Sequence, residues 1–131
     1  MTPRGDTDDS SAQCERVVRS CTKLPGAELS YPFGESAAVF KVGGRMFAVV
    51  SEDDEPGRLT LKCDPDYAAY LTQHFDDIVP GYHMNKRHWI TIALVPTLST
   101  DLIEDLISDS YELILAALPT QLRKALAPLD R

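Results

Sequence analysis

The chain has 131 residues, with 13 Lys+Arg against 20 Asp+Glu and a formal net charge of −7. An acid excess of that size excludes a protein that is basic over its whole surface, of the histone-tail kind. Hydrophobic residues make up 44% and charged residues 25%, the composition of one soluble globular domain with a core of its own.

Residues 1–10 are polar and lack periodicity, so they read as a disordered tail ahead of a single domain over 11–131. The apolar pattern becomes helical from about residue 11, where Cys14, Val17, Val18 and Cys21 fall on one face. Pro25-Gly26 stops that helix. In Tyr31-Pro32-Phe33-Gly34 the proline biases Tyr31 to an extended backbone, which predicts a short edge strand or ordered loop over 28–34. Two β-type runs, 37–42 and 45–51, then flank Gly43-Gly44, the glycines that a tight hairpin turn requires. A two-residue turn pairs Val42 with Arg45, Phe40 with Phe47 and Ala38 with Val49 on the core face. On the wet face it pairs Lys41 with Met46 and Val39 with Ala48.

After an acidic turn at 52–57, residues 58–63 alternate as a third strand, with Leu59, Leu61 and Cys63 one way and Arg58, Thr60 and Lys62 the other. Asp64-Pro65 opens a helix as N-cap and first residue. Its apolar face is Tyr67, Ala68, Leu71 and Phe75, and its end is expected near Asp76. Residues 77–87 contain Pro80-Gly81 and read as a loop or short extended piece. Residues 88–95 form another strand, with Ile90, Ile92 and Leu94 opposed to Trp89, Thr91 and Ala93. Ser99 or Thr100 caps the longest helix, over about 100–117, and Pro119 begins a last short one. The order predicts an α+β fold: a two-layer sandwich of a mostly antiparallel sheet with helices packed on one face.

The negative charge is concentrated. Residues 1–10 hold −2, the run Glu52-Asp53-Asp54-Glu55 holds −4, and Asp101, Glu104, Asp105, Asp109 and Glu112 hold −5, which leaves +4 on the rest. By strand parity Lys41, Arg58, Lys62 and Trp89 share the wet sheet face, and Lys86, Arg87 and His88 lead into the last strand beside it. Cations that can meet phosphates next to a stacking surface are the residue types of a nucleic-acid contact. The alternative is a sheet face that is simply solvated, with Trp89 covered by a loop. Tyr82, His83 and Asn85 either line a ligand pocket or brace their loop through hydrogen bonds.

His83, Met84 and His88, with Cys63 or His74, lack zinc-ligand spacing, so neither a metal nor a cofactor is expected. No GxSxG, P-loop, GxGxxG or HExxH occurs, so no catalytic residue is assigned and the chain reads as non-enzymatic. The three cysteines are odd in number and form no CxxC, and no stretch approaches the ~20 apolar residues of a membrane span. A reduced, cytoplasmic protein without membrane contact is expected.

Five segments carry a likeness beyond these patterns. They are Tyr31-Pro32-Phe33-Gly34, the run 40–47 (FKVGGRMF), Leu61-Lys62-Cys63-Asp64-Pro65, the run 80–89 (PGYHMNKRHW) and Asp109-Ser110-Tyr111-Glu112-Leu113. In this order the chain resembles the MmcQ/YjbR family of small bacterial proteins over about residues 11–127. The resemblance implies a CyaY-like (frataxin-like) α/β sandwich and a DNA-binding role. The contact would run through Lys41, Arg58, Lys62, Lys86, Arg87, His88 and Trp89, in a monomer or weak dimer. The alternative is a protein-interaction or small-ligand module using the 80–89 loop or the acidic helix. A frataxin-like iron-binding role for the acidic helix and tail would rest on fold analogy alone.

Overall fold

In the computed structural model, residues 4–54, 56–81 and 85–126 are described, with side chains from Ala12 to Ala125 within those spans. Their elements are α1 (Arg4–Thr22), β1 (Ala27–Ser30), β2 (Ala37–Val42), β3 (Arg45–Ser51), β4 (Arg58–Lys62), α2 (Pro65–His74), β5 (Ile78–Pro80), β6 (Trp89–Ala93), α3 (Thr100–Ala116) and α4 (Thr120–Leu126). The strands form one antiparallel sheet in the order β1-β2-β3-β4-β6-β5. The fold is the expected α+β sandwich, with β5 as an additional edge strand formed from the segment read as a loop or extended piece.

Local chemistry accounts for the boundaries. α1 begins at Arg4, ahead of the residue at which the apolar periodicity starts. Most of the polar run that reads as a tail thus belongs to α1. At α2, Asp64 caps as expected: its Oδ2 accepts the N–H groups of Asp66 (3.1 Å) and Tyr67 (3.3 Å), and Pro65 follows. Ser99 caps α3 by accepting the Leu102 N–H at 2.9 Å. Gly43 and Gly44 turn the β2–β3 hairpin with φ of 60° and 82°. A Cβ on Gly43 would lie 2.6 Å from Leu118 Cδ1, so the turn sits directly against the start of the C-terminal helical segment.

The hairpin register departs from the prediction. Val42 faces Arg45 and Lys41 faces Met46, but the next pairs are Phe40–Ala48, Val39–Val49, Ala38–Val50 and Ala37–Ser51. Phe40–Phe47, Ala38–Val49 and Val39–Ala48 are therefore not partners. Phe47 is the extra residue of a β-bulge, which turns both Phe47 and Ala48 toward the core. Both are fully buried.

That bulge is closed from the opposite layer. Ser110 of α3, itself fully buried, donates its hydroxyl to the Phe47 carbonyl (2.6 Å) and accepts the Lys62 N–H (2.9 Å). The neighbouring Tyr111 packs edge-on against Phe47, centroids 5.4 Å apart at 84°, and donates its hydroxyl to the Pro25 carbonyl. The core cluster joins these residues to Cys14, Val17 and Cys21 of α1, Ala68 and Leu71 of α2, and one face of the sheet. None of the three cysteines is in a disulfide, and all are buried. No helix of the described residues is long and apolar enough to cross a membrane.

Ser110→Ala is expected to strand the Phe47 carbonyl and the Lys62 amide together. A loss of about 3 kcal/mol follows, because a buried polar group without a partner costs 1–3 kcal/mol. Urea denaturation of the wild type and variant measures it.

Candidate nucleic-acid interface

The second face of the sheet is built by register. Its central row is Ser30, Val39, Val49, Thr60, Thr91 and Val79, taken in sheet order. Val39, Thr60 and Thr91 are buried there, and the two threonine hydroxyls lie 3.0 Å apart across β4 and β6. On the hairpin side of this row stand Glu28, Lys41 and Met46, with Lys62 directly opposite Trp89. On the other side stand Ala37, Ser51, Arg58 and Ala93.

Lys62 and Trp89 are therefore cross-strand neighbours, as a shared wet face requires. Lys41 is on the same face two strands away, about 10 Å at ordinary strand spacing. Two backbone bonds fix the end of this ladder: Cys63 N–H donates to the His88 carbonyl (2.8 Å), and Gly81 N–H donates to the Trp89 carbonyl (2.7 Å). Gly81 has to be glycine for a steric reason. A Cβ there would lie 2.6 Å from the Trp89 Cβ and 3.0 Å from its backbone.

Arg58 does not join them. It lies four residues back along β4, about 13 Å from Lys62, and its guanidinium is 3.7 Å from the Asp54 carboxylate. It also borders a cleft of about 240 Å³ with Asp76 and Asp77. Strand parity placed Arg58 on the right face but could not show that its end of the sheet is acidic.

Lys86, Arg87 and His88 form the turn that enters β6, at the hairpin end. Lys86 and Arg87 border a cleft of about 330 Å³ against Pro65, Asp66 and Ala69 of α2. They thus occupy the rim between the two layers rather than the open face. Asn85 organises this turn. Its Oδ1 accepts the Arg87 N–H (2.9 Å) and its carbonyl accepts the N–H groups of His88 (3.2 Å) and Trp89 (3.0 Å). Lys86 Nζ donates to the Gly81 carbonyl at 3.4 Å. Asn85 therefore performs the bracing role. Tyr82 and His83 lie outside the described residues.

Sequence reasoning missed two features. Arg45, at the hairpin turn, is exposed at the same end as Lys41 and Lys62; the predicted two-residue turn already located it there. The second is a groove of about 280 Å³ between α2 and α3, whose lining includes Cys63, Tyr67, Asp109 and Glu112. It exists only because the fold brings residues of α2 and α3 to its two sides. Burial, with Asp64 and Asp109 nearby, pushes the Cys63 thiol up to about 11. Burial and then Glu104 push Cys21 up to about 12. Neither thiol is activated as a nucleophile at neutral pH.

The YjbR family model matches residues 22–113. The chain belongs to the YjbR family. The matched span begins at the last residue of α1, ends inside α3 and contains the whole sheet with Lys41, Lys62 and Trp89. Among relatives, the uncharacterized protein YbdF of Escherichia coli O157:H7 is 38% identical over 120 residues, which cover 92% of this chain and 98% of that protein. The uncharacterized protein YjbR of Escherichia coli K12 is 34% identical over 113 residues, 86% of this chain and 96% of its own. The crystal structure of the Deinococcus radiodurans protein DR2400 superposes with a TM-score of 0.81 at 36% identity and covers 86% of each chain. These likenesses agree with the family and fold implied by the residues.

The raised thiols set an alkaline limit on stability. A thiol whose folded value lies above the ordinary 9.0 favours folding while protonated. That contribution is complete below pH 9 and disappears as pH rises through 11 and 12. The urea midpoint is expected to fall across this interval, and less steeply in Cys63→Ala. Denaturation at a series of alkaline pH values checks it.

Proposed function

We propose that this protein is a non-enzymatic DNA-binding protein that holds single-stranded DNA at the hairpin end of its open sheet face. The observation that carries this reading is the cross-strand pair Lys62–Trp89, with Lys41 in the same row. Lysine ammonium groups meet phosphates as mobile point charges, and an indole beside them gives an unpaired base a surface to stack on. Such stacking contributes about 1–3 kcal/mol per base and does not depend strongly on sequence. Lys86 and Arg87 extend the cationic strip around the rim, and His88 lies next to Trp89. Arg58 falls outside the footprint because Asp54, Asp76 and Asp77 surround it with like charge to the ligand.

The net charge of −7 does not oppose this placement strongly. At physiological salt, exposed charges beyond about 8 Å are largely screened. The acids of the turn at 52–54 stand at the far end of the strands, and those of α3 belong to the other layer.

Four phosphate contacts, from Lys41, Lys62, Lys86 and Arg87, imply a slope of about −3 for log affinity against log salt on a single strand. Fluorescence anisotropy with labelled single-stranded and duplex DNA at a series of salt concentrations measures the slope. Quenching of Trp89, the sole tryptophan, reports stacking. Lys62→Ala and the pair Lys86→Ala/Arg87→Ala are expected to weaken binding, while Arg58→Ala leaves it unchanged. Absence of binding at low salt refutes the reading.

A further inference from the structure

The opposite layer carries a surface of contrary charge, independent of the sheet face. Between α2 and α3 runs a groove of about 280 Å³, with Cys63, Tyr67, Asp109, Glu112 and Leu113 among its lining residues. The Cys63 side chain is 2% exposed and stays protonated, so it presents a neutral wall. Asp109 and Glu112 are exposed carboxylates one helical turn apart on α3. No Lys, Arg or His occurs between Thr100 and Ala116, so α3 supplies no cation of its own to neutralise them.

The apolar part of this surface is also unusual. Tyr67 is 38% exposed, Tyr70 51% and Leu113 37%. Tyr67 stacks on Tyr70 (6.2 Å, 18°), and Tyr70 stacks on His74 (4.1 Å, 27°). An exposed ladder of rings along α2 thus borders a cleft rimmed by carboxylates. Rings of this kind attract cations to their faces. Burial, then Asp109 and least of all Asp105, pushes the Tyr67 phenol up, and Asp105 continues the acidic strip along α3.

We propose that the α2–α3 groove docks an arginine side chain presented by a basic segment of a partner protein. The guanidinium lies between the Asp109 and Glu112 carboxylates and over the Tyr67 ring, and its methylene stem packs on Leu113 and Cys63. Arginine fits better than lysine, because a planar fork satisfies carboxylates bidentately and stacks on an aromatic face. A protein segment fits better than a free amine, because the ring ladder and Asp105 extend the surface well beyond the space for one side chain. Two or more cations along one strand would then be engaged together.

The test uses the full chain and a labelled short glycine–arginine peptide, with its lysine counterpart and N-acetyl-arginine amide as comparison ligands. The arginine peptide is expected to bind, more tightly than the lysine peptide and much more tightly than the amide. Amide chemical-shift changes should be confined to α2 and α3. Asp109→Asn with Glu112→Gln should weaken binding about fivefold, as expected for two exposed charge pairs. Tyr67→Ala should weaken it at high salt as well as low. Asp53→Asn with Asp54→Asn in the acidic turn should change nothing. Absence of binding at low salt overturns the proposal, as does equal weakening by the turn variant, which would mean attraction by net charge alone. Equal affinity for the amide and the peptide also overturns it and marks a small-molecule site instead.

Discussion

The Ser110 hydroxyl is the one group on which the arrangement of both layers depends. A β-bulge at Phe47 shifts the register between β2 and β3, and the paired run of β3 with β4 stops at Ala48–Leu61, just short of the Phe47 carbonyl and the Lys62 amide. A single buried side chain from α3 satisfies both, as acceptor at 2.9 Å and donor at 2.6 Å. The same two bonds fix the height and rotation of α3 over the sheet. Tyr111 follows immediately, and its ring and hydroxyl extend the clamp to Phe47 and to the chain leaving α1. The amide that Ser110 holds belongs to Lys62, so the polar tie inside the core also positions the backbone of the candidate interface. On the other side of α3, Asp109 and Glu112 receive their orientation from the same anchoring.

Charge separation is the second organising principle. The layer of α2 and α3 collects carboxylates. The hairpin end of the sheet collects Lys41, Arg45 and Lys62, with Lys86 and Arg87 at its rim, against Glu28 opposite Lys41 and Asp66 at the rim, and the opposite end has Asp54, Asp76 and Asp77 around Arg58. These groups are mostly solvated, and a pair such as Arg58–Asp54, exposed at both partners, adds little to stability. Their arrangement matters for which surfaces meet a partner. Net charge, a sum over the chain, conceals it.

Much of this fold was legible in the sequence because the features that define it are local. Gly43-Gly44 specifies the hairpin turn, Asp64-Pro65 the start of α2, and the residues before α3 its cap, each through backbone chemistry within a few positions. The bulge was not legible. Met46, Phe47 and Ala48 are all apolar, so two registers fit the alternation equally well until Ser110 arrives from a distant helix to select one. β5 was missed as a definite strand for a similar reason: three residues ending in proline become a strand only when β6 is beside them. For the candidate site, parity correctly placed Lys41, Arg58, Lys62 and Trp89 on one face. Parity does not show which strands adjoin, and it could not separate Arg58 from the others. The α2–α3 groove left no periodic signature, since its residues come from two separate helices and the segment before α2, brought to one place only by the tertiary fold.

The long ties of α1 and α3 have a consequence for biosynthesis. Gln13 donates to the Val95 carbonyl, Ser20 to the Glu104 carboxylate and Tyr111 to the Pro25 carbonyl, across separations of 82, 84 and 86 residues. The four-stranded meander from β1 to β4 pairs neighbour with neighbour and can assemble as it leaves the ribosome, but the helix that covers its apolar face and closes its bulge is made much later. At about 5–20 residues per second, the nascent sheet waits for seconds with only part of its apolar face covered by α1 and with Phe47 still lacking its Tyr111 neighbour. For this chain, the vulnerable stage of its life is that interval of synthesis, when a growing sheet with a half-covered core face has most need of a chaperone.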